Sequence, residues 1–200
     1  MPLLKILLLG GTGALASARI HSRIVEFVAE SGVVSDDEFP EILHHSVSVP
    51  DEGFTGNFDI DMVTTSKLCE VFVPDLIAVC CLSVSDKVRS LESIAPVLTP
   101  LDVVRQRTAK EATILTSRYA SEHLTVPGCE LTPGVGIAEL ARGIDALRVI
   151  SEQLDTVEHP VFGCTEYVLV AERFPQIPNV GTMLIEEVVR CAESATKRTA

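Results

Sequence analysis

Residues 159–169 read "HPVFGCTEYVL". The apolar run ends at Gly163-Cys164, and Thr165-Glu166 open what reads as a helix. Residues 75–86, "DLIAVCCLSVSD", repeat the pattern in the first half: an apolar run ends in Cys80-Cys81 and gives way to a serine-rich helix start. Each half therefore carries an apolar strand that ends in cysteine and feeds a helix. In open α/β sheets, ligands sit beyond the carboxyl ends of the strands, so a residue at such a junction lines a pocket.

The flanking segments alternate in the same way. "LKILLLGG" (3–11), "EILHHSVSV" (41–49) and "DLIAVCC" (75–81) read as strands. "ALASARIHSRIVEFVAES" (14–31) reads as an amphipathic helix stopped by Gly32, "TSKLCEVF" as a short helix, and "SDKVRSLESIA" as a helix with Ser85 or Asp86 near its N-cap. The rhythm then restarts. "APVLT" (95–99), "ATILTS" (112–117) and "HPVFGC" are strands. "PLDVVRQRTAKE" is a helix opened by Pro100, and "IAELARGIDALRVISEQL", "TEYVLVAERF" and "TMLIEEVVRCAES" (182–194) are further helices. "DEGFTGNFDIDM" (51–62) and "CELTPGVG" (129–136) read as loops. Strands alternating with helices predict an α/β protein with parallel sheets. The repeated strand–cysteine–helix unit predicts two pseudo-equivalent lobes with a cleft between them. Residues 1–98 with 180–200 are expected to form the first lobe, the last helix returning to it, and residues 99–179 the second.

The chain has 200 residues, 46% of them apolar, with a mean hydropathy of +0.32. That suits a compact globular protein rather than a disordered one. A net charge of −12 argues against a nucleic-acid partner, which needs Lys and Arg to neutralise phosphates. "MPLLKILLLGG" is short and ends in a glycine turn, so it reads as a buried first strand and not a signal peptide. No run reaches the roughly 18–20 apolar residues of a membrane span. A cytoplasmic protein with reduced cysteines is expected. The six cysteines include no CxxC pair, and the Cys80-Cys81 pair has no histidine at ligand spacing, so no metal is expected.

A thiol at a helix N-terminus meets free N–H groups and a partial positive charge, and both favour thiolate. Two thiols facing one substrate carbon can take a proton from one face and deliver one to the other. Such a pair inverts a stereocentre without a cofactor. Cys80 and Cys81 compete for the first-lobe role, because adjacent strand residues point to opposite faces. Cys69, Cys129 and Cys191 read as packing residues. Glu166 reads as a stabiliser of its own helix N-terminus. Of His44 and His45, one is expected to be buried and hydrogen-bonded and the other exposed.

Taken together, these motifs resemble the cofactor-independent aspartate/glutamate racemase family. "LLLGGTGALASARIHSRIVE" is similar to its opening strand, Gly-Gly-Met-Gly turn and helix. "ILHHSVSVPD" is similar to its second strand and Pro-Asp turn. "DLIAVCCLS" lies where the family has Cys-Asn-Thr, "ILTS" looks like its Leu-Ala-Thr strand, and "FGCTEYVL" matches its Gly-Cys-Thr-Glu motif. "IPNVGTMLIEEVV" resembles its closing segment. The resemblance implies an isomerase that racemises aspartate or glutamate without pyridoxal phosphate, with no cofactor. It implies Cys81 and Cys164 as the acid/base pair, since Cys81-Leu82-Ser83 fits Cys-Asn-Thr better than the register one residue earlier. Ser83 and Thr165 would bind the substrate's α-carboxylate. Gly11, Thr12, Ser46 and Thr116, at the other strand ends, complete the expected substrate-binding set. The expected partners are a small amino acid or dicarboxylate and a second copy of the chain in a homodimer. Leu82 stands where the family has Asn, Glu52 where an Arg is usual, Thr12 where Met is found, and Gly181 where Asp is common.

Two other readings stay open. A family member altered in chemistry would act on a different acid, or only bind one. "GGTGALA" also fits G-x-G-x-x-A after a strand and before a helix, a dinucleotide fingerprint that would make Gly11-Thr12-Gly13 the phosphate loop of an NAD(P)-dependent reductase. The second strand lacks the clear acidic tip that this fingerprint calls for.

Overall fold

The computed structural model describes residues 4–10, 13–32, 35–46 and 62–197. The first sheet holds β1 (Lys5–Gly10), β2 (Glu41–Ser46), β3 (Leu76–Val79) and β4 (Val97–Leu98), in the order β2-β1-β3-β4 and all parallel. The second holds β5 (Thr113–Thr116), β6 (Glu130–Pro133) and β7 (Pro160–Phe162), in the order β6-β5-β7, also parallel. The protein is thus α/β with two parallel sheets. In each, the first strand lies at the centre, with the second on one side and the third on the other. The chain reverses direction across that central strand, which opens a crevice beyond its carboxyl end.

Seven helices lie among the described residues: α1 (Ala14–Glu30), α2 (Met62–Phe72), α3 (Pro100–Arg107), α4 (Arg118–His123), α5 (Ile137–Ala141), α6 (Leu147–Leu154) and α7 (Val180–Lys197). β1 is buried on both faces, as a central parallel strand must be. Ile6 and Leu8 pack with Ile20 and Ile24 of α1 and with Leu184 and Val188 of α7. Leu7 and Leu9, pointing the other way, pack with Cys69 of α2 and with Val88 and Leu91. In the second sheet Ile114 and Val161 pack with Leu101 and Val104 of α3, while Leu115 and Phe162 pack with Ile137, Ile150 and Tyr167. Phe162 and Tyr167 stack with ring centroids 4.4 Å apart, worth roughly 1 kcal/mol beyond their burial.

Four local expectations are corrected. "CELTPGVG" is not all loop: Glu130–Pro133 is the strand β6, pairing Thr116 with Pro133 at its end. Proline is tolerated there because β6 is an edge. The single helix expected over 137–154 is two, α5 and α6, parted at Gly143, whose φ of 73° no helix accepts. The stretches after both cysteines are 3-10 rather than α-helical: Leu82–Val84 and Lys87–Ser93 in the first half, Thr165–Leu169 and Ala171–Arg173 in the second. Serines drive the first case, since the Ser85 and Ser93 hydroxyls donate to the carbonyls of Cys81 and Ser90 and so compete with helical bonding. In the second, the three-residue period puts Tyr167 and Val170 on one face, into the second core, while Val168 enters the first. Finally, α4 occupies residues that carried no helix expectation, with the Ser117 hydroxyl accepting from the Ala120 N–H as its cap.

Candidate active site

Beyond β3 the Cys80 N–H donates to the Leu9 carbonyl at 2.8 Å and carries the ladder one residue further. Its side chain is buried among the residues between β1, α1 and α7. Burial pushes its thiol up, and the charges of Cys81 and Glu166 add to this. Cys81, extended at φ −151° and ψ 123°, turns the other way and is half-buried. Beyond β7 the N–H groups of Gly163 and Cys164 both donate to the Leu115 carbonyl, at 2.8 and 3.1 Å. A Cβ at Gly163 would collide with Ile114 Cγ2, so only glycine allows this close approach. Cys164, still extended at φ −80° and ψ 136°, follows directly.

Cys164 is 8% exposed, and its Sγ donates to Glu166 Oε2 at 2.7 Å. Burial pushes this thiol well above the ordinary range; the Glu166 carboxylate pushes it further, and Cys81 adds to the effect. The expectation that a helix N-terminus would favour the thiolate is therefore reversed. A five-residue 3-10 turn offers a small dipole, and desolvation outweighs it. Glu166 is itself 4% exposed, and burial raises its carboxyl despite the bonds from Cys164, its own backbone and Thr165. It does not serve its own turn alone. Its Oε1 lies where a Cβ on Gly13 would be, at the first turn of α1. The carboxylate thus sits at the positive end of the 17-residue helix α1.

The two junctions are related. Two residues after Cys164, Glu166 meets Gly13 at the start of the helix that follows β1. Two residues after Cys81, the Ser83 hydroxyl meets the Ser117 hydroxyl at 2.7 Å, at the start of the helix that follows β5. Each cysteine turn so packs against the first helix of the opposite sheet. Three more contacts cross between the sheets. The Thr165 hydroxyl donates to the Cys80 carbonyl at 2.8 Å. Leu82, 2% exposed, packs among Leu101, Val104, Ile114 and Val180. The Lys87 ammonium lies 5.6 Å from the Tyr119 ring centroid, also across the junction.

The expected site residues fall out as follows. Ser83 and Thr165 each make a contact across the junction, with Cys81 two residues before the first and Cys164 next to the second. The Thr165 hydroxyl is engaged by the Cys80 carbonyl and by the neighbouring Glu166 carboxyl. Thr116 ends β5 fully buried beside Gly163, and its Oγ1 has no partner among the described residues. Ser46 ends β2 and is exposed. Gly11, Thr12 and Glu52 lie outside the described residues. Glu166, read in the sequence as a local helix stabiliser, and Ser117, not singled out at all, both belong to the junction. The adjacency of Glu166 to Cys164 was the only available signal for the first. His44 and His45 are both half-buried, each with an Nε2 lacking a partner among the described residues. The expected split into one buried, bonded ring and one exposed ring is not found. His44 packs edge-on to His21, and burial lowers its pKa, helped by His21 and His45.

The dinucleotide reading loses its physical basis here. A pyrophosphate would approach the start of α1, where the Glu166 carboxylate already abuts Gly13. Two anions at one helix terminus repel.

No protein-family profile and no curated protein matches the sequence. Solved structures do match in fold. The aspartate racemase of Picrophilus torridus superposes with a TM-score of 0.67 at 14% identity, covering 95% of this chain and 94% of that one. Glutamate racemase from Campylobacter jejuni subsp. jejuni gives 0.60 at 15% identity, over 94% and 85%. The maleate isomerase Iso of Pseudomonas putida S16 gives 0.56 at 12%, over 95% and 93%. The resemblance read from the sequence is thus met by a shared two-lobe fold spanning nearly the whole chain. Among the described residues no helix is long and apolar enough to cross a membrane.

Proposed function

We propose that this protein is a cofactor-independent isomerase that moves a proton at the α-carbon of a small amino or related acid, with aspartate or glutamate as the default substrate. Cys81 and Cys164 are the acid/base pair. One observation supports this reading: Cys81 and Cys164 follow equivalent strands of the two sheets, and the turns that carry them touch where the Thr165 hydroxyl donates to the Cys80 carbonyl at 2.8 Å. The fold it shares with proteins named aspartate racemase, glutamate racemase and maleate isomerase supports it. Substrate binding falls to Ser83 and Thr116, whose hydroxyls are buried beside the two cysteine turns, and to Ser46, Gly11 and Thr12 on the first-lobe side. Thr165 contributes a hydroxyl once its bond to Cys80 opens. The lobes are residues 1–98 with 180–200 and residues 99–179, in a cytoplasmic homodimer.

Leu82 favours a second reading, in which the same two-thiol chemistry serves a different acid. The position that carries an amide in the racemases carries a leucine here, and its side chain lies in the second core rather than at the thiols. Both readings face one experiment. The protein is incubated in deuterium oxide with a panel of amino acids and 2-substituted acids, and Cα deuteration is followed by NMR. Exchange into one acid is expected, and Cys81→Ser and Cys164→Ser should each abolish it. Binding of an acid with no exchange would sink the isomerase; loss of activity in Cys80→Ser with Cys81→Ser active would move the first-lobe thiol by one residue.

A further inference from the structure

Resting on that reading, the structure assigns a polarity to the thiol pair: Glu166 is a positioning residue that keeps the proton on Cys164 before substrate arrives. Cys164 is then the acid of the first turnover and Cys81 the base. The asymmetry is geometric. Residues two beyond each thiol are equivalent in the two halves, yet one is a carboxylate and the other a hydroxyl. Glu166 Oε2 accepts from Cys164 Sγ at 2.7 Å, while Ser83 turns to Ser117 at 2.7 Å. Glu166 cannot swing away easily, being 4% exposed and seated against Gly13 with no room for a Cβ between them. A carboxylate at this distance accepts a hydrogen bond from a thiol but repels a thiolate. Cys164 is also 8% exposed, whereas Cys81 is half-buried. The ionisable groups acting on Cys164 are Glu166 from its own turn and Cys81 from the end of β3; Cys80 and Tyr167 also lie within the reach of the Glu166 charge.

The proton inventory balances. The Cys81 thiolate takes the α-hydrogen, and Cys164 gives its proton to the opposite face of the carbon. The turnover ends with Cys81 as thiol and Cys164 as thiolate. The resting form returns when Cys81 releases a proton to water and Cys164 regains one. Glu166 drives that return, since the thiolate at Cys164 is the form it disfavours.

The test needs no substrate. The full chain is treated with iodoacetamide between pH 6 and 10, and labelling at each cysteine is read by mass spectrometry for the unmodified protein and for Glu166→Gln. Cys81 is expected to label before Cys164. Glu166→Gln should raise the rate at Cys164 roughly tenfold near pH 8 and move its pH profile downward, because the repelling charge is gone while the shape is kept. A purely structural role would leave that profile in place. Cys164 labelling first, or a Cys164 profile unchanged in Glu166→Gln, overturns the assignment. If Glu166→Gln does not fold, the labelling order in the unmodified protein still decides against it whenever Cys164 leads. An inactive protein that labels in the expected order would sink the isomerase and leave the polarity standing. An active enzyme labelling in the reverse order would do the opposite.

Discussion

Glu166 shows how one side chain sets a local trade between stability and chemistry. Burial raises its carboxyl above the ordinary value, and the hydrogen bonds it accepts recover only part of the cost. Its folded-state pKa therefore exceeds the unfolded one. The folded state binds the extra proton between those two values, so stability falls as pH rises past about 4.3, the ordinary Glu value. Glu166→Gln should raise stability at pH 7 by about 1–3 kcal/mol. The gain should fade as the pH is lowered below about 4, where the carboxyl is protonated in both states. Urea unfolding at pH 3.5 and pH 7 measures both. An equal effect at the two values would show that charge is not the cause. Gly13 and Gly163 belong to the same logic, each holding a place that any side chain would fill.

Between local sequence and the folded segments, agreement was best where chemistry is strictly local. Helix α3 begins as expected, with Pro100 at its first position, and the structure adds a capping box: the Thr99 side chain accepts from the Asp102 N–H while Asp102 accepts from the Thr99 N–H. Asp102 also binds Arg89 across from the preceding 3-10 segment. Burial raises the Asp102 carboxyl, but the bonds from Arg89 and Thr99 outweigh it and hold the group below its usual range. A depressed carboxyl stabilises the fold above its unfolded pKa and loses that contribution as pH falls through the folded one. Asp102→Asn should cost about 1 kcal/mol at pH 7 and nothing measurable once the pH is below the folded value. Thermal unfolding across pH 2–7 checks this, and a cost that persists at pH 2 would count against it. The misread segments are those whose conformation answers to distant partners. β6 is short and polar and is a strand only because β5 offers it an edge. The turn after Cys164 is 3-10 because its side chains must enter two cores at once.

At the scale of the two sheets, the site is a product of how the halves are held. Leu82 sits in the second core, Thr165 bonds the first strand layer, Ser83 and Ser117 meet, and α7 returns from the second sheet to pack on α1 and the first. Leu82→Asn should therefore not bring an amide to the thiols. It should bury one without a partner among Leu101, Val104 and Val180, at a cost of roughly 3 kcal/mol, read as a lowered urea midpoint. Leu82→Asn with unchanged stability would mean that the side chain can leave the core. Much of this protein was legible from residue order: the alternation of strand and helix, the doubled strand–cysteine unit and the start of α3 all depend on neighbours a few positions away. The partners of the thiols were not. That Glu166 would reach Gly13, that Leu82 would cross into the other core, and that Thr165 would bond the Cys80 carbonyl 85 positions away depend on contacts between the two halves of the chain. Periodicity and turn chemistry are properties of short stretches of chain. Desolvation and cross-sheet contact exist only once the two halves have closed on each other.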